Sequence, residues 1–334
     1  MNGPASTLLD DKNIQIQEAL NRKARQKAIL SSILPYVGFI FVFLFFLIVT
    51  QGKLLNAANR ENLINQCFTL TIVCIGASFV YAHGGSDFSV GASCGCAQLV
   101  AAFLLTQAGV PLPICLLVCI LVAVAASCMT ASISLVFGVP VFVGSMCIRY
   151  IFSGILTTAT QRSEIFVSHA QYGFMNDTLL KAAILIIFIA VGYYLFEYTS
   201  LGKSQRAIGG NQQTAQQNGI KIKPTIMKAY IILGICVGVA AMFQMFRNGK
   251  VTSQSGNGLE FNMMMAIVLG GFPMRGGEKA RLSSAIIGAL TVTVLVNGLT
   301  LWGVDANLVN GIKGLLFVVI VGLSYDRSMG KLVS

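Results

Sequence analysis

The sequence PICLLVCILVAVAASCMTASISLV, at residues 113–136, contains no charged side chain. Folded as an α-helix, this stretch would be about 36 Å long at the usual rise per residue. The hydrocarbon core of a lipid bilayer is roughly 30 Å thick. A charge-free run of this length is typical of a transmembrane helix, so we expect residues 113–136 to lie in a membrane.

The composition extends this expectation to the whole chain. Of its 334 residues, 55% are hydrophobic and 10% are charged, whereas about 25% of an average soluble domain is charged. The 23 Lys and Arg residues and the 12 Asp and Glu residues lie in a few short stretches between long uncharged runs. A net charge of +11 could indicate nucleic-acid binding. The basic residues form no patch interleaved with aromatic residues, however, so the charge favours membrane orientation and we expect no nucleic-acid partner.

Uncharged runs of this kind predict about ten transmembrane helices, some of them broken or re-entrant, in an all-α integral membrane protein. The short eighth run leaves open a second count, of eight or nine full spans with one re-entrant segment. The ten expected spans are residues 33–50, 62–82, 88–106, 113–136, 141–157, 179–197, 225–246, 261–272, 282–301 and 310–324.

The distribution of Lys and Arg predicts that both chain ends are cytoplasmic. Fifteen of the 23 basic residues fall in segments that this orientation places inside, and six fall in segments that it places outside. Residues 1–32 are then a cytoplasmic N-terminal segment, and residues 325–334 are a cytoplasmic tail. No small-residue cleavage site follows the first apolar run, so we expect this run to be a first span and not a removed signal peptide. Residues 33–324 are expected to form a single transmembrane domain.

The nine Cys residues are scattered through apolar runs, and the two His residues, His83 and His169, do not complete a zinc-binding pattern with them. We therefore expect no metal site.

Two glycine-rich motifs interrupt the apolar runs: GGSDFSVG at residues 84–91 and GGFPMRGG at residues 270–277. Each follows a span predicted to run from outside to inside, so the two motifs would be parallel repeats of a duplicated architecture. Non-helical backbone at membrane depth needs protein or water around it, so we expect both breaks to lie inside the bundle. The helix-breaking glycines are Gly84, Gly85, Gly91, Gly270, Gly271, Gly276 and Gly277.

The longest polar segment between two spans is the basic loop at residues 198–224, which we expect to be cytoplasmic. Gly209 and Gly210 predict a turn, Asn211 is a favourable helix N-cap, and Gly219 is suited to a left-handed C-cap. The enclosed helix of roughly 10 Å is too short to span a membrane. It is suited to lie against another protein.

These three motifs, in their order along the chain, resemble those of the permease subunits of bacterial monosaccharide and branched-chain amino acid ABC importers, the ribose-type subgroup in particular. In that family a cytoplasmic loop containing Ala-Ile-Gly-Gly-Asn, followed about eight residues later by Gly-Ile, couples the permease to its ATPase. The resemblance covers about residues 60–325. It assigns the following residues to the ATPase-coupling loop: Gly202, Arg206, Gly209, Gly210, Asn211, Gly219 and Ile220.

The resemblance implies a type II ABC importer-like bundle in the bacterial inner membrane, surrounded by lipid. It implies three partners: an ABC ATPase subunit, an extracytoplasmic solute-binding protein, and a second permease copy, identical or paralogous. The implied solute is a small polar molecule, best matched by a monosaccharide such as ribose. Departures from the family pattern, such as Thr214-Ala215-Gln216 in place of Ala-Ala-Arg, affect the assignment of the solute and not that of the family.

The chain itself is expected to hold no cofactor and to catalyse no reaction. Gly202-Lys203-Ser204 resembles the end of a phosphate-binding loop, but Glu197 occupies the position of the first Gly that such a loop needs. ATP and Mg²⁺ would therefore bind to the partner ATPase.

Polar residues within the predicted spans are candidates for the translocation path. The carboxylate of Asp87 could cap the helix that begins near Ser89 or contact the solute. Arg149 could face the path, pair with Asp87 or Glu197, or extend to the membrane interface. Three amides could bond neighbouring helices or contact solute hydroxyls: Gln98, Asn262 and Asn297.

Two other classes of function have different sequence requirements. An ion-coupled secondary transporter would need carboxylates within the membrane, and Asp87 is the plausible candidate. An integral-membrane enzyme would need His, Asp or Glu clusters near one membrane face, and two isolated His residues argue against it.

Overall fold

The computed structural model of the protein describes residues 33–161, 163–167 and 172–324. The predicted N-terminal segment, the predicted tail and His169 lie outside these ranges.

The described chain is almost entirely helical, as the uncharged runs predicted. The sixth helix continues through one π-helical turn at Tyr194–Tyr198. Short 3₁₀ turns lie at Lys53–Leu55 and Gly173–Asn176. In chain order the helices are α1 (Ile33–Val49), α2 (Ala57–Ala82), α3 (Val90–Thr106), α4 (Leu112–Phe137), α5 (Val141–Thr160), α6 (Thr178–Tyr193), α7 (Ser200–Gly210), α8 (Gln212–Gln217), α9 (Ile222–Asn248), α10 (Leu259–Leu269), α11 (Leu282–Leu301) and α12 (Ala306–Ser324).

Each of the ten predicted spans coincides with one of these helices. Six of the helices, namely α2, α4, α5, α6, α9 and α11, are long and apolar enough to cross a membrane. Shorter apolar segments lie in α1, α3, α10 and α12. The chain is therefore an all-α membrane protein, and the count of ten crossings stays a prediction.

The centre of the bundle is formed by α2, α4 and α9, which pack closely because small residues line their contacts. A Cβ atom added to Gly234 of α9 would lie 2.4 Å from the Cα atom of Val124 in α4. One added to Gly238 would lie 2.5 Å from the Cα atom of Ile120. In lipid, helices associate by such close backbone packing, because burial of apolar surface gives no advantage over contact with lipid tails.

The short helix α10 follows a non-helical loop at residues 252–258 that packs inside the bundle. A Cβ atom on Gly256 of this loop would lie 2.1 Å from the carbonyl oxygen of Gly91. Since α10 has only 11 residues, it is about 16 Å long and cannot cross a bilayer by itself. The eighth predicted span is thus a broken segment, and its helix ends at Leu269, three residues earlier than predicted.

Gly91 was predicted as part of a helix break, and this is wrong. It lies in the first turn of α3, and the break is the preceding stretch, residues 83–89. Gly91 has no side chain because the loop at residues 252–258 and the Glu260 carboxylate pack directly against it.

The two ends of the bundle are built differently. At one end, the connection at residues 270–281 and helix α7 pack against the C-terminal end of α2. At the other, strand β1 (Ile165–Phe166) pairs antiparallel with strand β2 (Lys250–Val251), and Ile165 lies opposite Val251. Three segments predicted to be cytoplasmic therefore share one end of the bundle.

This arrangement predicts the accessibility of single cysteines. In a background without the exposed Cys147, we expect Lys203→Cys and Arg275→Cys to react with an impermeant maleimide only from the cytoplasmic side. Glu164→Cys, beside β1, should react only from outside. Labelling of Lys203→Cys and Glu164→Cys from the same face would contradict the topology.

Candidate functional site

Helix α2 ends in a glycine-dependent cap at Gly84. The Gly84 N–H donates to the carbonyl oxygen of Tyr81 at 3.0 Å, and the Gly85 N–H donates to that of Val80 at 3.1 Å. Gly84 has a φ of 84°, a left-handed conformation that residues with a side chain rarely adopt. This pair of bonds is the Schellman motif, which satisfies two of the last carbonyls of the helix.

The carbonyl of Ala82, the last residue of α2, is satisfied from a distant part of the chain. The N–H of Gly277 donates to it at 2.9 Å. A Cβ atom on Gly209 would lie 2.1 Å from the same oxygen, and one on Gly276 would lie 2.2 Å from it. We call Ala82, Gly84, Gly209, Gly276 and Gly277 the glycine junction. It brings together all three motifs found in the sequence.

The second glycine motif ends its helix in the same way as the first. The Gly271 N–H donates to Val268 at 2.9 Å, and the Phe272 N–H donates to Ile267 at 3.0 Å. Gly271 has a φ of 74°. Both motifs thus contain the same helix-ending geometry, at the same end of the bundle, which is what parallel repeats require.

Residues 198–224, the predicted coupling segment, contain two helices. The short helix that we expected is present as α8: the Asn211 side-chain oxygen accepts from the Thr214 N–H at 3.0 Å, and Gly219 has a φ of 83°. The predicted turn at Gly209 and Gly210 is wrong, since both residues end helix α7 and the chain turns at Asn211. Gly209 is a glycine because of its contact with Ala82, and not because of a turn.

Helix α7 is fixed to the bundle by contacts of its own. A Cβ atom on Gly202 would lie 2.0 Å from the carbonyl oxygen of Phe196. The Arg206 guanidinium pairs with the Glu197 carboxylate at 2.9 Å and lies over the Phe196 ring at 5.3 Å. Gly202 and Arg206 therefore hold α7 in place. In contrast, every residue of α8 is exposed except Ala215.

A hydrogen-bond network that the sequence analysis missed links α2, α7 and α9. The Nδ1 atom of His83 lies 2.9 Å from the Gln205 side-chain oxygen and 3.2 Å from the Phe79 carbonyl. Both neighbours are acceptors, because the Gln205 amide nitrogen donates to the carbonyl of Thr225. Nδ1 therefore carries the proton. Burial lowers the pKa of His83 to about 4, so the ring is neutral at physiological pH.

The coupling segment also borders a cavity of 870 Å³ at the same end of the bundle. Its walls include the connection between α4 and α5, the end of α2 and the residues that follow α8, among them Ile220. The cavity separates α8 from the bundle on one side, so α8 is attached mainly through α7 and Ala215.

Asp87 lies at the start of α3. One oxygen of its carboxylate accepts from the Ser89 N–H at 2.8 Å and from the Ser89 hydroxyl at 2.6 Å. The Ser89 hydroxyl is also 3.1 Å from that of Thr130 in α4. This is the geometry of a carboxylate that stabilises a helix start.

Arg149 pairs with Glu260, a residue that the sequence analysis did not consider. Their closest atoms are 2.8 Å apart, and the Glu260 side chain is 1% exposed. Of the alternatives for Arg149, pairing with Asp87 or Glu197 is wrong, since Asp87 accepts from Ser89 and Glu197 pairs with Arg206. The sequence does indicate Glu260 as a candidate partner, because this acidic residue directly precedes the eighth apolar run. A buried carboxylate without its cation would be strongly disfavoured.

Two of the three amide candidates connect helices. The Gln98 amide nitrogen of α3 donates to the Gln244 oxygen of α9 at 3.1 Å. Asn59 of α2 and Asn297 of α11 exchange two hydrogen bonds, at 2.8 and 3.0 Å. Neither Gln98 nor Asn297 lines the cavity of 870 Å³ or a second cavity between α10 and α12.

The third amide, Asn262, lies in a different environment. Its side-chain oxygen accepts from the Lys313 ammonium at 3.3 Å. Both residues line a cavity of 570 Å³ between α10 and α12. Among the described residues, no three His, Cys, Asp or Glu side chains converge to hold a metal ion there or elsewhere.

Comparison with known proteins agrees with this architecture. Residues 59–321 match the family described as branched-chain amino acid transport system / permease component. The chain belongs to this permease family. It is a multi-pass protein of the bacterial inner membrane and the membrane-spanning permease subunit of an ABC importer.

The alignments with named relatives cover most of the permease. It is 24% identical to the probable ABC transporter permease YphD of Escherichia coli (strain K12), over 96% of both chains. It is 25% identical to the ribose import permease RbsC of Bacillus subtilis (strain 168), over 88% of the permease and 92% of that protein. The D-allose transport system permease AlsC of Escherichia coli (strain K12) is 26% identical, with coverages of 83% and 86%. No solved structure matches.

The glycine junction can be tested with two neighbouring glycines. Gly209→Ala places a methyl group against the Ala82 carbonyl, so we expect it to destabilise the permease by about 1–3 kcal/mol. Gly210→Ala is the matched control, because a Cβ atom there has no neighbour within 4 Å. The measurement is the midpoint of thermal unfolding in detergent. Equal midpoints for the two variants would show that the junction is not closely packed.

The pair of Asn59 and Asn297 can be tested by a double-mutant cycle. We expect Asn297→Leu to lower stability by about 1–2 kcal/mol, because it leaves buried polar groups of Asn59 without partners. The Asn59→Leu/Asn297→Leu double variant should lose less than the sum of the single variants. Thermal midpoints and solute uptake are measured together. If Asn297→Leu abolished uptake at unchanged stability, Asn297 would instead belong to the translocation path.

Proposed function

We propose that the permease imports a monosaccharide, best represented by D-ribose, that an external binding protein delivers, and that a separate ABC ATPase docks on α8. The observation that carries the coupling is the exposed helix α8, attached through α7 to the glycine junction. The names of the relatives support the solute class, because they are described as ribose, galactose and allose permeases.

Helix α8 has the properties of a docking element. Only Ala215 of its residues is buried, so the rest of its surface is free for a partner. Its N-terminal end continues directly into α7, which the Arg206–Glu197 pair and the Gln205 network hold against the bundle. A displacement of α8 would therefore move α7, and with it the ends of α2 and of the connection at residues 270–281.

ATP binding and hydrolysis are assigned to the partner subunit. Gly202, Lys203 and Ser204 lie within the first turns of α7, and not in a loop between a strand and a helix. Glu197, which precedes α7, pairs with Arg206 within the helix. A phosphate-binding loop needs a flexible run of glycine backbone at this place, so ATP and Mg²⁺ would be held by the ATPase.

We also propose that a second permease copy, identical or paralogous, completes the translocation path. The Arg149 side chain is 23% exposed on a single chain, beside the exposed ring of Phe261. A charged group facing lipid at membrane depth is strongly disfavoured. A second copy that covers α5 and α10 would remove this contact and enclose the path between the two chains, in a type II importer arrangement with ten spans per chain and both termini inside.

The alternative, an ion-coupled secondary transporter, is less well supported. It would need a carboxylate free to exchange a proton or cation within the membrane. One oxygen of Asp87 accepts two hydrogen bonds from Ser89, and Glu260 pairs with Arg149. Each carboxylate is therefore held by a neighbouring residue, although the second oxygen of Asp87 has no hydrogen-bond partner among the described residues.

Coupling through α8 can be tested at Gly219, where a side chain would meet no atom within 4 Å but φ is 83°. Gly219→Val should add strain of about 1–3 kcal/mol, because a β-branched residue disfavours positive φ. We expect uptake to fall about tenfold, in line with an energy change of that size. ATPase stimulation by the loaded binding protein should be lost.

The matched control is Gly219→Asn, because Asn tolerates the left-handed conformation. It should retain most of the uptake. Membrane abundance is measured for both variants, since the bundle should fold in each case. If Gly219→Val transports as well as the unmodified permease at equal abundance, the segment is a tether and does not couple the ATPase to the membrane helices.

A further inference from the structure

The cavity between α10 and α12 has the composition of a sugar-binding site. We propose that it binds a neutral monosaccharide during translocation. This inference rests on the proposed function and adds to it a site within the permease. The polar lining groups are three amides and one ammonium, and aromatic rings form part of the wall. The residues that carry the argument are Asn257, Asn262, Asn310, Lys313, Phe261 and Phe317.

The polar groups of the cavity match the chemistry of a sugar. Each Asn amide offers both hydrogen-bond donors and an acceptor, as each sugar hydroxyl does, and the Lys ammonium offers three donors. The rings of Phe261 and Phe317 provide apolar surface for the C–H face of a pyranose or furanose. The volume of 570 Å³ lies within the range of about 300–1,000 Å³ that is usual for small-molecule sites.

The hydrogen-bonding capacity of this cavity is incompletely used. The contact from the Lys313 ammonium to Asn262 is 3.3 Å long, beyond the usual range for an N–H donor. An ammonium within a membrane helix is unfavourable unless other groups solvate it. The hydroxyl oxygens of a bound sugar would supply acceptors for its remaining donors.

Four residues that line the cavity lie on the same face of α12. Lys313, Gly314 and Phe317 lie three, four and seven residues after Asn310, which places the four residues on one face of α12. A Cβ atom on Gly314 would meet no atom within 4 Å. The space beside Gly314, which lines the cavity, is therefore open.

The cavity also adjoins the charged pair of α5 and α10. Phe261, one of the two rings, lies under the Arg149 guanidinium at 5.5 Å. Asn262 follows directly in the chain. The proposed site is therefore next to the surface of α5 and α10 that a second copy would cover.

A neutral sugar fits this lining better than an anionic lipid headgroup. Phosphate sites in proteins usually present several cationic or bidentate donors. Here three neutral amides accompany a single ammonium. The lipid headgroup is the alternative occupant, and the experiment distinguishes it.

The test uses the whole importer, with the permease, its ATPase and its binding protein reconstituted in liposomes. Lys313→Met and Asn310→Leu remove polar groups from the cavity. Leu315→Met is the matched control, because Leu315 lies on the same helix, is exposed and does not line the cavity. Uptake of radiolabelled D-ribose, D-galactose and D-allose is measured beside the ATPase stimulation that each loaded binding protein produces.

We expect both cavity variants to lower uptake by about tenfold or more, the effect of losing hydrogen bonds to the solute. Stimulated hydrolysis should stay within about twofold of the unmodified importer, a change too small to reflect a lost hydrogen bond. The control should match the unmodified importer in both readouts. A purely structural role for Lys313 would instead reduce uptake and stimulation together.

Three results with the cavity variants would overturn the inference. Uptake by Lys313→Met and Asn310→Leu at the level of the control would exclude a solute site. Parallel loss of uptake and stimulation would assign the two residues to folding or coupling. Normal uptake together with loss of a co-purified phospholipid from Lys313→Met, measured by mass spectrometry, would assign the cavity to a lipid. Failure of all three sugars to stimulate the unmodified importer would instead contradict the proposed solute class, and the sugar site with it.

Discussion

The Ala82 carbonyl is the point at which two distant segments meet the end of α2: the Gly277 N–H donates to it at 2.9 Å, and Gly209 of the coupling segment packs against the same oxygen. The last carbonyls of a helix lack partners within the helix, and an unsatisfied carbonyl buried away from water is strongly disfavoured. Here the donor comes from a different part of the chain. Gly209 and Gly276 approach the same oxygen so closely that neither could carry a side chain. A side chain at Gly209 would separate α7 from α2, and one at Gly276 would separate the connection at residues 270–281 from α2.

This contact defines a continuous structural path from α8 to the polar residues at membrane depth. Helix α8 is anchored by α7, α7 rests on the end of α2, and the connection at residues 270–281 is bonded to that same end. This connection leads back into α10, which is only 11 residues long. The opposite end of α10 carries Glu260 and Asn262.

The sequence predicted the features that depend on neighbouring residues. The ten apolar helices, the N-cap at Asn211 and the left-handed Gly219 follow from local composition and backbone preference. The features that it did not predict depend on distant contacts. Gly209 was interpreted as a turn because its real neighbour, Ala82, is far away in the chain. The partner of Arg149 was missed for the same reason, since Glu260 reaches it only after the loop at residues 252–258 folds into the bundle.

Two lysines within apolar helices, Lys181 and Lys313, show how structural and functional polar residues can be distinguished in this permease. The Lys181 ammonium donates to two amide oxygens, of Asn65 and Asn176, and lines neither cavity. The Lys313 ammonium has one long contact, to Asn262, and faces a cavity. A polar group at membrane depth must be solvated by protein, water or ligand. Lys181 is solvated by protein, so its position is explained by structure alone. The Lys313 ammonium has only one long contact with the described residues, and the hydroxyl groups of a solute would supply the remaining hydrogen-bond acceptors.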